Sequence, residues 1–161
     1  MSFDQRAFRD ALGQFPTGVT VITACPGDTK PFGVTANSFS SVSLDPPLIL
    51  WSLQRNSDTF DTFEQSQFFG VNVLAASQQA LSNQYAKKGN HDLEQDHFHM
   101  GAHGVPLIND AVVSFECEVD AVHDGGDHVI IVGKVLAMTD CSAADPLVFH
   151  AGQYRQLQSV E

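Results

Sequence analysis

Residues 33–47 read Gly-Val-Thr-Ala-Asn-Ser-Phe-Ser-Ser-Val-Ser-Leu-Asp-Pro-Pro, and no other stretch constrains the fold as strongly. Apolar and small polar residues alternate with the period of a strand. The run stops at two prolines, which cannot donate to a sheet ladder and force an extended neighbour. Five hydroxyl residues (Thr35, Ser38, Ser40, Ser41, Ser43) and one amide (Asn37) stand where a strand facing only water would carry Lys or Glu. Such a strand belongs in a mainly β chain and offers neutral donors to something other than water.

The flanking segments follow the same pattern. Residues 18–25 are β-branched and short, and Pro26-Gly27-Asp28 after them is turn chemistry. Residues 33–43 and 48–54 read as two strands around the Asp45-Pro46-Pro47 corner, and residues 68–74 as a buried strand. Val113, Phe115, Cys117 and Val119 share one face of a strand over 112–122, residues 129–138 form its partner, and 123–127 connect them as a hairpin. A last short segment covers 147–157. Three helices are expected. The first starts from a Ser2/Gln5 capping box and carries Phe3, Ala7, Phe8, Ala11 and Leu12 at helical spacing. The second is capped by Ser57, with Phe60 and Phe63 on one face, and the third covers 77–86 with Ala80, Leu81 and Tyr85 apolar. Residues 87–109 are polar and His-rich, and read as a functional loop or a mobile lid. About six or seven strands without regular strand-helix alternation predict an α+β, mainly β barrel with peripheral helices, and exclude a doubly wound parallel sheet. The 161 residues fit a single domain spanning 1–161.

Charge narrows the partners. Eight Lys and Arg against 19 Asp and Glu give a formal charge of −11, which disfavours nucleic acid and anionic membrane surfaces. No stretch approaches a membrane span or a leader, so a soluble protein that stays where it is made is expected. Cys25, Cys117 and Cys141 lack a Cys-x-x-Cys spacing, which argues against a disulfide framework or zinc knuckle and fits a reducing cytoplasm. His91, His97, His99 and His103 match no common zinc spacing and read as solvated side chains, so no metal is expected. Trp51 reads as core or subunit interface.

Rossmann, P-loop and nucleophile-elbow motifs are absent, so any nucleotide must be held another way. Four features suggest how. The hydroxyl-rich strand is the first. The polar turn Gln54-Arg55-Asn56-Ser57-Asp58-Thr59 opens a helix whose N–H groups and dipole suit an anion. Asn72 interrupts the apolar run Phe69-Gly70-Val71-Asn72-Val73-Leu74, and Gly126-Asp127-His128 puts an imidazole at the start of a strand. Each also has a plainer reading: Thr favours strands and Ser tolerates edges, residues 56–59 serve as a helix cap, Asn72 is a satisfied structural amide, His128 sits in a turn, and Tyr154 packs.

In this order the blocks resemble the short-chain flavin reductase family, whose members use an FMN-binding split β-barrel. The resemblance runs through residues 33–48, Phe69-x-Val-Asn-Val-Leu74 with Gln78 and Leu81, Gly126-Asp-His-x-Ile-x-x-Gly133-x-Val135, and Pro146-Leu147 leading to Gly152-x-Tyr154, covering about 8–157. It implies flavin contacts from Thr35, Ala36, Asn37 and Ser38 along ring and ribityl chain, with Ser41 near the phosphate. Ser52, Leu53 and Gln54 would hold the ring edge through backbone, and Asn56, Ser57 and Thr59 the phosphate. Asn72 and Val73 would lie further along the flavin, and Lys87 or Lys88 would add charge at the phosphate. His128, with Tyr154 and Arg155, would face the nicotinamide of NADH or NADPH, with His128 orienting it while the 87–109 lid closes. A homodimer sharing the flavin site is also implied.

The expected activity is therefore hydride transfer from NAD(P)H to FMN or FAD, with export of reduced flavin to a separate monooxygenase. Two alternatives stay open: an electron carrier or flavin-binding module with tightly held FMN and no NAD(P)H turnover, and an FMN-dependent reductase of ferric complexes, quinones or nitro compounds. Gly126-Asp127-His128 discriminates, because a carrier gives it no task.

Overall fold

The computed structural model describes residues 3–160. Helix α1 (Gln5–Leu12) is capped by Asp4, whose carboxylate accepts from the Arg6 and Ala7 N–H groups at 2.8 and 3.4 Å; Ser2, the expected cap, lies outside the described residues. None of its residues is buried, and Phe8 and Leu12 are exposed.

The main sheet is antiparallel and seven-stranded. It contains β2 (Thr20–Ala24), β3 (Phe32–Ala36), β4 (Ser40–Leu44), β5 (Pro47–Gln54), β6 (Phe68–Val73), β9 (Val113–Gly125) and β10 (His128–Met138), in the order β3-β2-β6-β9-β10-β5-β4. The hydroxyl-rich run is thus two strands, not one, and they lie at opposite edges of the sheet. Only residues 37–39 separate them, so the two edges stand at most about 14 Å apart. Laid flat, seven strands would hold them about 29 Å apart. The sheet must therefore roll up, and because β3 and β4 do not pair, the barrel stays open along that seam.

Ile22, Phe32, Trp51, Phe69, Val71 and Ile131 fill the inside of the roll. Helix α2 (Phe60–Glu64) adds Phe63, whose ring lies 4.7 Å from Phe32 and 4.9 Å from Trp51. A second cluster, including Val19, Val21, Leu74, Tyr85 and Leu147, covers the outer face of β2 beneath α3 (Gln79–Tyr85). With both faces covered, β2 buries all five residues, which is why Thr-Val-Ile-Thr-Ala shows no apolar alternation. The β9–β10 hairpin turns on Gly126-Asp127, with Gly126 at φ +73°, a left-handed conformation suited to glycine. Gly133 is fixed by packing: a Cβ there would stand 2.4 Å from the Phe69 ring.

Helix α2 begins at Phe60, not after Ser57, and has only five residues. Ser57 instead folds the preceding turn, its Oγ accepting from Thr59 N–H at 3.2 Å. Residues 87–109 are not a lid. Leu93, Val105, Leu107 and Ile108 are buried, β7 (Phe98–Met100) pairs with β8 (Pro106–Ile108), and the buried Glu116 carboxylate accepts from the Ala102 and His103 N–H groups at 3.0 and 2.8 Å. Each of the histidines has its own partner, His91 with Asp58, His97 with Tyr85, His99 with Asn109 and His103 with Glu116; His91 and His97 are half-buried, whereas His99 and His103 are exposed as expected. A small sheet of β1 (Thr17–Gly18), β11 (Val148–His150) and β12 (Gln153–Arg155) brings Tyr154 against α3. Among the described residues no helix is long and apolar enough to cross a membrane.

Candidate functional site

A cavity of about 390 Å³ opens where β3 faces β5 across the unpaired seam. Strand β3 contributes Val34, Thr35 and Ala36, and the crossover to β4 contributes Asn37 and Ser38. From β5 come Trp51, Ser52, Leu53 and Gln54, and from the turn beyond it Asn56, Ser57 and Asp58. Ala86, Lys88 and His91 arrive on the loop after α3, and His128 on the first residue of β10, which pairs with Gln54.

The hydroxyls that mark this region in the sequence are largely occupied by the protein. Thr35 Oγ1 donates to Ser82 O at 2.7 Å. Ser38 Oγ donates to Ser52 O at 3.1 Å and accepts from Ser52 N–H at 2.9 Å, which ties the crossover to β5. Ser40 Oγ donates to Ser41 O. Only the Ser38 bonds reach β5; Thr35 fixes β3 to α3. Asn37, Ser52, Gln54, Asn56 and Lys88, together with backbone, are the lining groups left to offer donors to a ligand. Trp51 also carries a buried Nε1 without a partner among the described residues.

The cavity is polarised. At the Ser38–Ser52 end its polar groups are neutral, whereas Lys88 and His91 gather against the 56–58 turn. With a helix this short, the N-terminal dipole is no anion site, and the N–H groups of Arg55, Ser57, Thr59 and Phe60 all have partners in the turn or at the hairpin tip. That leaves the Asn56 and Asp58 N–H groups and the Lys88 side chain for an anion. Burial pushes the Asp58 carboxyl up, but the Gly89 N–H and the His91 imidazole outweigh it and hold it below the ordinary carboxylate value. This donor set, neutral at one end and cationic at the other, fits a flavin with a phosphorylated tail.

At the rim, His128 Nδ1 lies 2.7 Å from Asp127 Oδ1. A carboxylate only accepts, so Nδ1 carries the proton and, in the neutral ring, Nε2 is left as an acceptor. The hydrogen bond from His128 is the largest cause that lowers the Asp127 carboxyl. Arg55 pins this tip: its guanidinium pairs with Asp124, its Nε donates to Gly126 O at 3.4 Å, and its N–H donates to Asp127 O at 2.9 Å.

Eleven of the residues expected at a flavin or nicotinamide line this cavity: Thr35, Ala36, Asn37, Ser38, Ser52, Leu53, Gln54, Asn56, Ser57, Lys88 and His128. The others do not. Asn72 is fully buried, with Nδ2 donating to Val21 O and Thr23 Oγ1 and Oδ1 accepting from Ile108 N–H and Ser114 Oγ, so its plainer structural reading holds. Val73 lies in the β6 ladder between Thr20 and Val113. Thr59 is buried and bonded to Ser57, Ser41 is exposed on β4, and Lys87 and Arg155 stay outside. Tyr154 lines an adjoining cavity of about 200 Å³ that shares Thr35, Ala36 and Asn37; its hydroxyl accepts from Ser82 Oγ and donates to Asn83 Oδ1. Sequence reasoning missed Val34, Trp51, Asp58, Ala86 and His91 as wall residues.

The flavin reductase like domain matches residues 12–158. FMN reductase (NADH) SmoA of Agrobacterium fabrum is 44% identical over 151 residues, which are 94% of this chain and 85% of that protein. The reductase component of a flavin-dependent trigonelline monooxygenase of Acinetobacter baylyi is 40% identical over 149 residues, 92% of this chain and 48% of that protein, so the chain spans about half its length. Of the solved structures, the NADH:FAD oxidoreductase SgcE6 of Streptomyces globisporus C-1027, in complex with NAD and FAD fragments, superposes with a TM-score of 0.90 at 35% identity, covering 96% of this chain and 93% of that one. BorF, the flavin reductase component of a bacterial two-component tryptophan halogenase, gives a TM-score of 0.90 at 40% identity over 98% and 100% of the two chains.

Proposed function

The chain belongs to the flavin reductase like family, and from that premise and its polarised cavity we infer an NAD(P)H:flavin oxidoreductase that supplies reduced FMN or FAD to a separate flavin-dependent monooxygenase. A bound flavin supplies the redox chemistry, its N5 taking a hydride from nicotinamide C4. The chain's own task is placement. The backbone and side chains of residues 35–38 and 52–54 hold the ring and ribityl chain, with Asn56, Ser57, Lys88 and His91 at the phosphate. Little further side-chain chemistry is needed, because holding two rings in contact without intervening water supplies most of what the transfer requires.

His128 orients the nicotinamide. Asp127 keeps the proton on Nδ1, so Nε2 faces outward as an acceptor for the N–H of a carboxamide. This rim histidine on the cavity wall is the observation that carries the reductase reading, because a carrier or flavin-binding module would leave it without a task. Purified protein mixed with NADH or NADPH and excess FMN or FAD oxidises the nicotinamide; no oxidation with either flavin removes the reading. In His128→Ala one hydrogen bond is lost, and KM for NAD(P)H rises about threefold to tenfold while flavin Kd stays within about twofold. Equal losses in both refute the assignment to His128.

The 1–161 chain acts as one domain, in the cytoplasm, a location supported by three free cysteines. It works as a homodimer: exposed Phe8, Leu12, Phe15, Val42 and Leu44 support an apolar contact with a second copy. A particle of 17.5 kDa in sedimentation at micromolar concentration would remove the dimer.

A further inference from the structure

Asp58 and His91 come from different elements, the turn after β5 and the loop after α3, yet they meet on the cavity wall. His91 Nε2 lies 2.9 Å from Asp58 Oδ1, and Asp58 Oδ2 accepts from Gly89 N–H at 2.7 Å. On its other side His91 Nδ1 lies 3.0 Å from Gly33 O, while Gly33 N–H donates to His91 O at 2.8 Å. Through these two contacts the ring ties its loop to β3 on one side and to the 56–58 turn on the other. Alone, a carboxylate on this wall would repel a phosphate. Here both of its oxygens are engaged, one by the Gly89 N–H and one by the His91 ring, and its effect is to hold the Lys88 loop in place.

We propose that Asp58 is a positioning residue that latches residues 88–91 to the 56–58 turn through Gly89 and His91, so that Lys88 and that turn form the receptor for the 5′-phosphate that FMN and FAD share. This rests on the flavin reading of the cavity. The Asp58 side chain itself donates nothing to the ligand; it acts through Gly89 and His91. Without the latch, the cavity keeps its ring-binding walls on β3 and β5 and loses its grip on the phosphate.

The test is fluorescence-quench titration of FMN, FAD and riboflavin, which lacks the phosphate, against the wild-type protein, Asp58→Ala and Asp58→Asn, with melting temperatures alongside. The wild type binds FMN and FAD about tenfold more tightly than riboflavin, Asp58→Ala loses that preference with riboflavin affinity unchanged within about twofold, and Asp58→Asn, which keeps one acceptor, falls between them. A preference that survives in Asp58→Ala overturns the latch and leaves the flavin site standing. Equal losses for all three flavins together with a lower melting temperature also overturn it, because a merely structural residue would behave so. If the wild type binds none of them, the flavin reading itself fails and the latch with it.

Discussion

Replacing Asn72 by Ala decides between a flavin ligand and a structural amide. The side chain is fully buried in β6, and all four of its hydrogen bonds are internal. Truncation leaves the Ile108 N–H, itself only 2% exposed, without its acceptor. It also takes an acceptor from Ser114 Oγ and a donor from Thr23 Oγ1. A buried orphaned donor costs about 1–3 kcal/mol and each lost neutral bond about 0.5–1.5 kcal/mol, part of which the hydroxyls recover by rotating. A net loss of about 3 kcal/mol lowers the melting temperature by about 6–12 °C for a chain of this size. The variant remains folded well below that midpoint, since domains of this kind hold about 5–15 kcal/mol. There FMN affinity should stay within about twofold of wild type. Circular dichroism melting and flavin fluorescence titration on the same sample give both numbers. A tenfold loss of FMN affinity with an unchanged melting temperature refutes the structural account and restores Asn72 to the flavin site.

Arg55→Met frees the hairpin tip from Asp124 and Gly126. It should raise KM for NAD(P)H about twofold to threefold with little change in melting temperature, because the pair is partly exposed; an unchanged KM removes Arg55 from the orientation of His128. Burial, with the neighbouring Glu116 charge adding to it, pushes the Cys117 thiol from 9.0 up to about 12. The native state therefore resists an ionisation that the unfolded chain undergoes: the stabilisation is complete below pH 9 and is lost as pH rises from 9.0 towards 12. Urea midpoints at about pH 8 and about pH 10 should show about 1.4 kcal/mol less alkaline loss in Cys117→Ala than in wild type, and equal losses refute the burial argument.

The strands were legible where one face or both faces of a segment had to be apolar. Residues 48–54, 68–74, 112–122 and 129–138 all became sheet strands, extended or trimmed by one to three residues at their ends. The break at Asn37–Phe39 was not legible, because alternation continues through it: the period reports which way side chains point, not which neighbour a strand pairs with. Placing β3 and β4 at opposite edges depends on pairings with β2 and β5 that no local pattern encodes. Residues 87–109 misled for a related reason. Their buried anchors, Leu93, Val105, Leu107 and Ile108, are too few and too unevenly spaced to make a period, so polar composition dominated the reading.

The candidate site shows the same division between local and non-local information. Hydroxyl density coincides with the open edge beside the cavity, but these groups largely bond within the protein, Thr35 to Ser82 on α3 and Ser38 to Ser52 on β5. His91 looked like one of several solvated histidines because its contact with Gly33 spans 58 positions and its contact with Asp58 spans 33. The net charge of −11 explains why such contacts matter. Over distances beyond about 8 Å salt screens most of the repulsion an anionic flavin or dinucleotide meets from the acidic surface, so what decides capture is the charge within contact distance. Lys88 supplies it at one end of the cavity. Its loop is anchored by the Asp58 carboxylate through Gly89 and His91, and at the rim the Asp127 carboxylate orients the His128 ring. The acidic residues at this site thus work by fixing donor groups in place.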